Sequence, residues 1–537
     1  GEIIPSYLYK VISDAYNRYI NYSEDFSVPK DKLIKVLLES KALDNFSSLN
    51  PAFEIDQLIK TTLKGNSGLN SEHAYTSKVR AYNKDMQGLF GNYSSPSSDS
   101  GINKYLTLNP KIISTRGYID KNSDSKKSSE LFCPNELINP FNSRFSDPMR
   151  QIMTLKQTSH IVPTDSQSKP LVGSGFERNV KSFLGKDFVI EAKDNGHVES
   201  IDKKNKLLVV RYDDGFQEVI NLDNQISKNS ASGFYISNIL KTELKAKDKF
   251  KKGDILAKNE DFFKGEKDDV VFSVGTLAKV AIVPLSDTLE DSSLVTERFA
   301  DKMNSEIIYK EPTSFNINTN ISFIAKVGDE VKVGDPLVKF ESNIDSKQGL
   351  DILEKIGKEY KETISELVSN TKRAKVSGKI EDIKIYFNKD LESFTPSVKK
   401  IIKDYISGIK EKYEKINSLK LKEPPNIILP SISKINSERI MNEIVDGVLI
   451  EFYISHKSGL TIGDKITMQS ACKTIISKTF PSNKEPYSEY NKDEKIDVIF
   501  SPLSIVSRMT IDLLNLLFTG KVLIELKKQI KDIIEKD

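Results

Sequence analysis

The sequence twice sets a Gly-Asp pair inside a short apolar run. Lys249-Phe250-Lys251-Lys252-Gly253-Asp254-Ile255-Leu256 repeats, in order and spacing, as Glu330-Val331-Lys332-Val333-Gly334-Asp335-Pro336-Leu337. Gly-Asp supplies a tight reversal, and the flanking apolar residues re-enter a sheet. A chain built this way commits the region to hairpins in small barrels. A carrier barrel of the lipoyl or biotinyl kind is the sharper reading. It requires a lysine presented in a short hairpin, and no Met-Lys-Met or Asp-Lys-Ala tripeptide occurs.

The surrounding chain changes texture several times. Leu8, Ile12, Ala15 and Tyr19, then Leu33, Val36 and Leu37, fall at helical spacing, so residues 1–63 read as mainly helical. Residues 65–130 are irregular, with small polar stretches at 94–100 and 121–130 that predict exposed loops. From about Asp187 the chain turns to strands, such as Leu207-Leu208-Val209-Val210-Arg211-Tyr212. Leu350, Leu353, Ile356, Tyr360, Ile364 and Leu367 mark one amphipathic helix. Val398, Ile401, Ile402, Tyr405, Ile409, Tyr413 and Ile416 mark another. Between them the sequence predicts a strand pair around 374–387 turning at Ser377-Gly378. Strands resume at Gly447–Ile454, and a charged helix is expected over about 522–535.

Charge does not select a partner, because 79 basic and 76 acidic residues leave a net charge of only +3. Any basic surface must come from clustering. Cys133 and Cys472 are far apart and form no Cys-x-x-Cys pair, which argues against a disulfide framework or a cysteine zinc site. The histidines (His73, His160, His197, His456) are scattered, without His-Glu-x-x-His spacing, and read as ordinary core or surface residues. No apolar run reaches membrane-spanning length. P-loop, nucleophile-elbow, dinucleotide and zincin motifs are absent.

What remains are charges beside apolar, glycine-punctuated runs. Glu290-Asp291 follows Val280–Leu285, Lys465 and Lys473 flank a nearly uncharged stretch, and Arg508 follows Phe500–Ser507. A charge so placed is costly to desolvate unless a partner meets it. Taken singly, each reads better as half of a structural salt bridge than as a functional charge.

The order of the blocks carries more information. Pro170-Leu171-Val172-Gly173-Ser174-Gly175-Phe176-Glu177-Arg178 resembles the Pro-Leu-Val-Gly-Thr-Gly-Met-Glu-Arg signature of bacterial RNA polymerase β subunits. Pro140-Phe141 with Met149-Arg150-Gln151-Ile152-Met153 and Val162-Pro163 is similar to that family's Pro-Phe…Asn-Arg-Ala-Leu-Met…Val-Pro block, with one extra residue. Gly275…Val280-Ala281 and Glu290-Asp291…Val295-Thr296-Glu297-Arg298 resemble its Gly…Val-Ala and Glu-Asp…Ser-Glu-Arg motifs. Gly463-Asp464-Lys465 with Lys473 keeps the family's Lys-to-Lys spacing. Its Gly-Arg-His-Gly-Asn is replaced by Met468-Gln469-Ser470-Ala471-Cys472. Asp497-Val498-Ile499-Phe500-Ser501-Pro502-Leu503…Ser507-Arg508-Met509 is similar to Asp-Ile-Val-Leu-Asn-Pro-Leu…Ser-Arg-Met, and Asn50-Pro51 to Gly68-Leu69 spans the fork segment.

The resemblance implies the C-terminal portion of a divergent β subunit from a split gene, as in giant phages. The fold it implies is a mixed α/β multidomain chain. A helical fork region (1–145) would precede a double-psi β-barrel (146–311 and 447–508), with an α/β flap inserted at 312–446 and C-terminal helices (509–537) against other subunits. Arg150 and Arg508 would clamp the incoming triphosphate, and Lys465 and Lys473 would contact the RNA 3′ end. Glu290 and Asp291 would neighbour the second metal or order the basic residues. Mg²⁺ would be bound mainly by the largest-subunit chain, so this chain alone would be inactive. Implied partners are an N-terminal β-like chain, β′-like chains, DNA template, RNA and nucleoside triphosphates, with a promoter-specificity subunit left open. No membrane is implied, and the expected location is the cytoplasm, that of the host if the chain is viral. The alternative is a non-catalytic carrier or adaptor barrel.

Overall fold

The computed structural model describes residues 3–22, 49–64, 68–69, 76–95, 97–114, 117–120, 127–141, 148–184, 187–228, 235–266, 269–342, 370–419, 421, 439–440, 443–444, 447–469, 471–508 and 510–535. Leu33, Val36, Leu37 and the helix expected over 350–367 lie outside the described residues.

Helix α1 (Ile3–Tyr22) forms in the region predicted to be helical, but its buried face is Val11 and Ala15, whereas Ile12 and Tyr19 of the predicted stripe are exposed. Helix α2 (Pro51–Ile59) begins at Asn50, and α3 is Pro148–Ser159. Asn50 joins the two. Its side-chain oxygen accepts from the Phe53 N–H, and its Nδ2 donates to the carbonyls of Thr158, Ser159 and Ile161 at 3.1, 2.8 and 3.1 Å. One buried amide thus satisfies an orphan donor at one helix start and orphan acceptors at another helix end. Residues 60–62 and 103–105 form a short antiparallel pair. Tyr93, Tyr105, Cys133, Ile152 and Leu155 pack into a small core beside it.

The strand-rich part opens with β1 (Val189–Glu191), β2 (Gly196–Asp202), β3 (Leu207–Tyr212), β4 (Gln217–Asn221), β5 (Lys249–Phe250) and β6 (Ile255–Lys258). β6 pairs with β1, and the other four run in the order β4-β3-β2-β5 around a core that includes Val198, Leu208, Val210 and Leu256. The Gly-Asp turn before β6 is closed by its own carboxylate, which accepts the Lys251 N–H at 2.7 Å. Gly253, at φ +89°, and Asp254 exchange backbone hydrogen bonds with Ala192. The second copy repeats the device: Asp335 accepts the Lys332 N–H at 2.8 Å, and Gly334 and Asp335 exchange bonds with Ala374.

The repeat is longer in space than its Gly-Asp signature. Residues 244–258 superpose in hydrogen-bond pattern on 325–339, because Lys247 and Asp248 bond to Val198 as Gly328 and Asp329 bond to Ile380. Lys247 takes the left-handed turn position, at φ +75°, that glycine fills in the second copy at φ +96°.

Downstream come β7 (Val280–Ile282), β8 (Ser292–Thr296), β9 (Ser305–Asn316), β10 (Gly378–Phe387), helix α4 (Pro396–Asn417) and β11 (Gly447–Ser458). The chain then runs through β12 (Lys465–Met468), β13 (Cys472–Phe480), β14 (Val498–Phe500), α5 (Pro502–Val506) and α6 (Ile511–Ile534). β9, β10 and β11 are the long members of a six-stranded sheet, with β11 at its centre between the other two. The strand pair predicted around 374–387 is corrected. Residues 370–373 and β10 both form, but each joins a different sheet, because the Ala374 and Gly378 positions are claimed by turns and strands elsewhere.

Helix α4 buries Val398 and Ile402 in the core beneath β10 and β11, while Ile416, at its far end, packs with Leu207, Val209 and Val219 of the four-stranded sheet. Lys412–Asp223 (3.4 Å) and Lys204–Glu411 (2.7 Å) flank that contact. The final sheet is mixed and five-stranded, in the order β7-β14-β8-β13-β12, and makes a half-barrel. β7 with β14 and β8 with β13 are parallel, and β14 with β8 and β13 with β12 are antiparallel. Val295, Phe299, Cys472, Ile476, Phe500 and Leu513 fill it.

Candidate functional site

The half-barrel is assembled from motifs far apart in the chain, and its interior explains their order. The Thr296 N–H donates to the Asp497 carbonyl at 3.0 Å, and the Asp497 N–H donates to the Lys279 carbonyl at 2.9 Å. The Asp497 carboxylate accepts the Lys279 N–H at 2.8 Å and meets Arg298 at 2.8 Å. Arg298 also pairs with Glu485 at 3.2 Å, and Lys495 meets the same carboxylate at 3.3 Å. The side chains of Glu485 and Asp497 are only 2% and 8% exposed. These are buried charges compensated within the chain, and they fasten three segments together.

Arg508 sits differently. Its guanidinium donates to the Ser504 carbonyl at 2.8 Å, to the Lys473 carbonyl at 3.3 Å and to the Asp291 carboxylate. The Asp291 side chain is 55% exposed, against 14% for Arg508. Asp291 adopts φ +65°, a left-handed conformation that Asp tolerates better than most residues. Its N–H donates to the Ser504 hydroxyl at 3.1 Å, and its carbonyl accepts the Ile475 N–H at 2.9 Å. Residues expected from three separate motifs therefore meet at the start of β8, the start of β13 and the end of α5.

Lys465 and Lys473 lie on one exposed face of the β12–β13 hairpin. Lys465 is opposite Ile475 and Thr467 is opposite Lys473, so the two lysines are diagonal neighbours. Diagonal side chains on such a pair stand roughly 7–8 Å apart. Neither ammonium has an ion-pair partner among the described residues. Two like charges at this spacing repel unless an anion lies between them. A further Gly-Asp turn orients the hairpin: Asp464 accepts the Thr461 N–H at 2.7 Å, and Gly463 and Asp464 exchange backbone bonds with Ile476. Glu290 is exposed beside Asp291, with no hydrogen-bond partner among the described residues.

Helix α3 borders this face. The Thr467 hydroxyl donates to Gln157 Oε1 at 2.6 Å. His160, just past the helix end, packs against Phe53 at 5.7 Å between ring centroids. Partial burial lowers the His160 pKa, and Lys156 and Lys473 depress it further, so the ring is biased towards neutrality. Gln157, Thr467, His160 and Ser504 were not singled out from sequence as site residues. His160 lies inside the Met149–Pro163 block, which was the only available signal for it. Arg150 lies in α3, two turns before Gln157, and its side chain is outside the described residues.

The remaining motif blocks meet away from the lysines. Pro140 and Phe141 line one side of a cleft whose other side is Val172, Gly173 and Ser174. The Ser174 N–H donates to Glu177 at 2.8 Å, and a Cβ at Gly173 would come within 2.9 Å of that carboxylate. A side chain there would displace the Glu177 carboxylate from the Ser174 N–H.

The acids present do not fit Mg²⁺ as a complete site. Among the described residues no group of three or more His, Cys, Asp or Glu side chains could hold a metal ion. The Asp291 carboxylate is also engaged by Arg508. No helix among the described residues is long and apolar enough to cross a membrane.

Comparison with known families gives two matches. Residues 275–533 match RNA polymerase Rpb2, domain 6, which covers the half-barrel, the hairpin and the whole Asp291–Arg508 contact. Residues 1–72 match bacteriophage RNA polymerase. The chain is therefore a subunit of an RNA polymerase. The first match supports reading it as a C-terminal, β-subunit-like fragment, and the second makes a phage type plausible.

Proposed function

We propose that this face of the half-barrel binds the incoming nucleoside triphosphate and the RNA 3′ end during templated nucleotidyl transfer. The observation that carries this reading is the pair of lysines without an ion-pair partner among the described residues, beside an arginine that the Asp291 carboxylate orients. Nucleotidyl transfer develops charge on the triphosphate, and preorganised cations stabilise it without reorganising at the moment of reaction. Arg508 suits the phosphate because its fork is planar and always charged, whereas Lys465 and Lys473 act as point charges along RNA. Arg150 joins from α3. Glu290 and Asp291 would face a second metal or order the basic residues around it. Mg²⁺, which supplies nucleophile activation and charge neutralisation when bound, is held mainly by the largest-subunit chain, so this chain alone makes no RNA.

The parallel pairs β7–β14 and β8–β13 support closure into a double-psi barrel, and the insertion between β9 and β11 supports a flap bordering the RNA exit path. DNA template, an N-terminal β-like chain and β′-like chains complete the assembly, in the cytoplasm of a phage-infected host. The carrier reading draws on the two Gly-Asp barrels alone. Primed-scaffold extension separates the readings. The polymerase assembled with its other chains should lose RNA synthesis when Lys465 and Lys473 are both replaced by Ala. Undiminished extension would remove the proposed role.

A further inference from the structure

Ser504 contacts both members of the Asp291–Arg508 pair. Its hydroxyl, on a side chain 0% exposed, accepts the Asp291 N–H at 3.1 Å, and its carbonyl accepts from Arg508 Nη1 at 2.8 Å. Asp291 is thus pinned on both sides of its Cα, with its N–H on α5 and its carbonyl on the Ile475 N–H of β13. A residue so fixed in the left-handed region has a set Cα–Cβ direction, and here that direction brings the carboxylate to Arg508 Nη2. Without the hydroxyl, the Asp291 N–H would lose its acceptor and the strained φ would lose a restraint.

We propose that Ser504 is a positioning residue for Arg508, acting through the Asp291 amide and carboxylate to hold the guanidinium ready for a triphosphate. This rests on the reading above, in which Arg508 meets the incoming nucleotide. Ser504 itself touches no substrate. Its effect belongs in nucleotide affinity more than in turnover, because the guanidinium remains present and charged but spends less time in the binding geometry.

The test uses the polymerase assembled with its other chains, extending a primed scaffold over a range of nucleotide concentrations. Ser504→Ala should raise KM for the incoming nucleotide about fivefold, with kcat within about twofold and the melting temperature nearly unchanged. Asp291→Ala should raise KM at least as much, and the double variant should be no worse than Asp291→Ala alone. Asp291→Asn, at an exposed position that tolerates the same φ, should give an intermediate KM and covers the case in which Ser504→Ala assembles poorly. Unchanged KM in Asp291→Asn, or Ser504 and Asp291 effects that multiply in the double variant, would overturn the inference. Arg508→Ala distinguishes the two levels. A wild-type KM and rate in that variant would overturn the nucleotide-binding role itself, whereas an impaired Arg508→Ala beside a normal Ser504→Ala would overturn only the role of Ser504.

Discussion

Arg298 and Arg508 are two arginines of one half-barrel, each delivered by a motif that reads alike in sequence. Arg298 faces inward to Glu485 and Asp497, carboxylates that are almost wholly buried and that also meet Lys495 and the Lys279 amide. Arg508 meets one half-exposed carboxylate and two carbonyls, next to lysines with no counter-charge among the described residues. The difference is in what is left unsatisfied. The first cluster is closed, with its charges neutralised inside the chain, and such a cluster holds segments in register. The second is open, leaving net positive charge at a surface, and this arrangement awaits an anion.

Removing Arg298 should therefore break the fold, and removing Arg508 should break chiefly the chemistry. Arg298→Ala leaves the buried Asp497 carboxylate without a cation and Glu485 with Lys495 alone, a cost of about 3 kcal/mol, the low end for such pairs because the arginine is 36% exposed. Thermal melting and subunit pull-down should both show the loss. A variant that melts and assembles like the parent would place Arg298 in the same class as Arg508.

Arg508→Ala, Lys465→Ala and Lys473→Ala should each lower nucleotide addition about a hundredfold, the usual scale for losing one preorganised transition-state contact. The lysine variants should melt close to the parent, since exposed charges contribute little to stability, and Arg508→Ala, whose side chain is 14% exposed, should melt lower than they do but above Arg298→Ala. Single-turnover extension measures the first quantity and calorimetry the second. Normal rates with lowered melting would reverse the comparison.

The partly buried Asp56 of α2 sharpens it from another side. Burial raises the Asp56 carboxyl from 3.8 to about 6, against the pull of Lys156 and Lys60. The folded chain then keeps a proton that the unfolded chain has already released. Stability is full below about pH 4, falls as pH rises towards 6, and levels off above that. The loss across this window is on the order of 2–3 kcal/mol, at 1.36 kcal/mol per unit. Asp56→Asn should remove its share of the slope in melting scans from pH 4 to 8, leaving that of Glu136, whose carboxyl burial raises to about 7. An unaltered slope would show that another group causes it.

Asn50→Ala carries the smallest expected effect, about 1–2 kcal/mol from the lost cap, because water or local 3₁₀ bonding can take up some of the freed carbonyls. Hydrogen exchange should quicken at the start of α2 and the end of α3 together. Faster exchange in only one helix would show that the amide does not join them.

Much of the fold was legible because periodicity and turn chemistry are local. A helix near the start of the chain, the Val398–Ile416 stripe, the Leu207–Tyr212 strand and both Gly-Asp turns appear where the sequence predicts, though the first helix buries Val11 in place of Ile12. The closing helix was expected over 522–535, but α6 begins at Ile511 because its first turns bury Leu513 in the half-barrel core. The full length of the repeat was hidden because Lys247 replaces the glycine at a left-handed position. The pairing of residues around 374–387 was misread because adjacent strands need not share a sheet.

For the site, the sequence by itself determined which charged residues stand beside apolar, glycine-punctuated runs, and hence the identities of Asp291, Lys465, Lys473 and Arg508 as candidates. It also determined the order of motifs that places the chain among RNA polymerase subunits. Only the tertiary structure decided which charges are closed and which remain open. Arg298 and Arg508 differ in the partners brought to them by β14, α5 and the 485–497 segment, and those partners lie up to 217 residues away in sequence. It also decided that Ser504, an unremarkable serine in a short helix, lies under the Asp291 amide. A charge's role depends on its neutralisation in space, and sequence spacing does not record it.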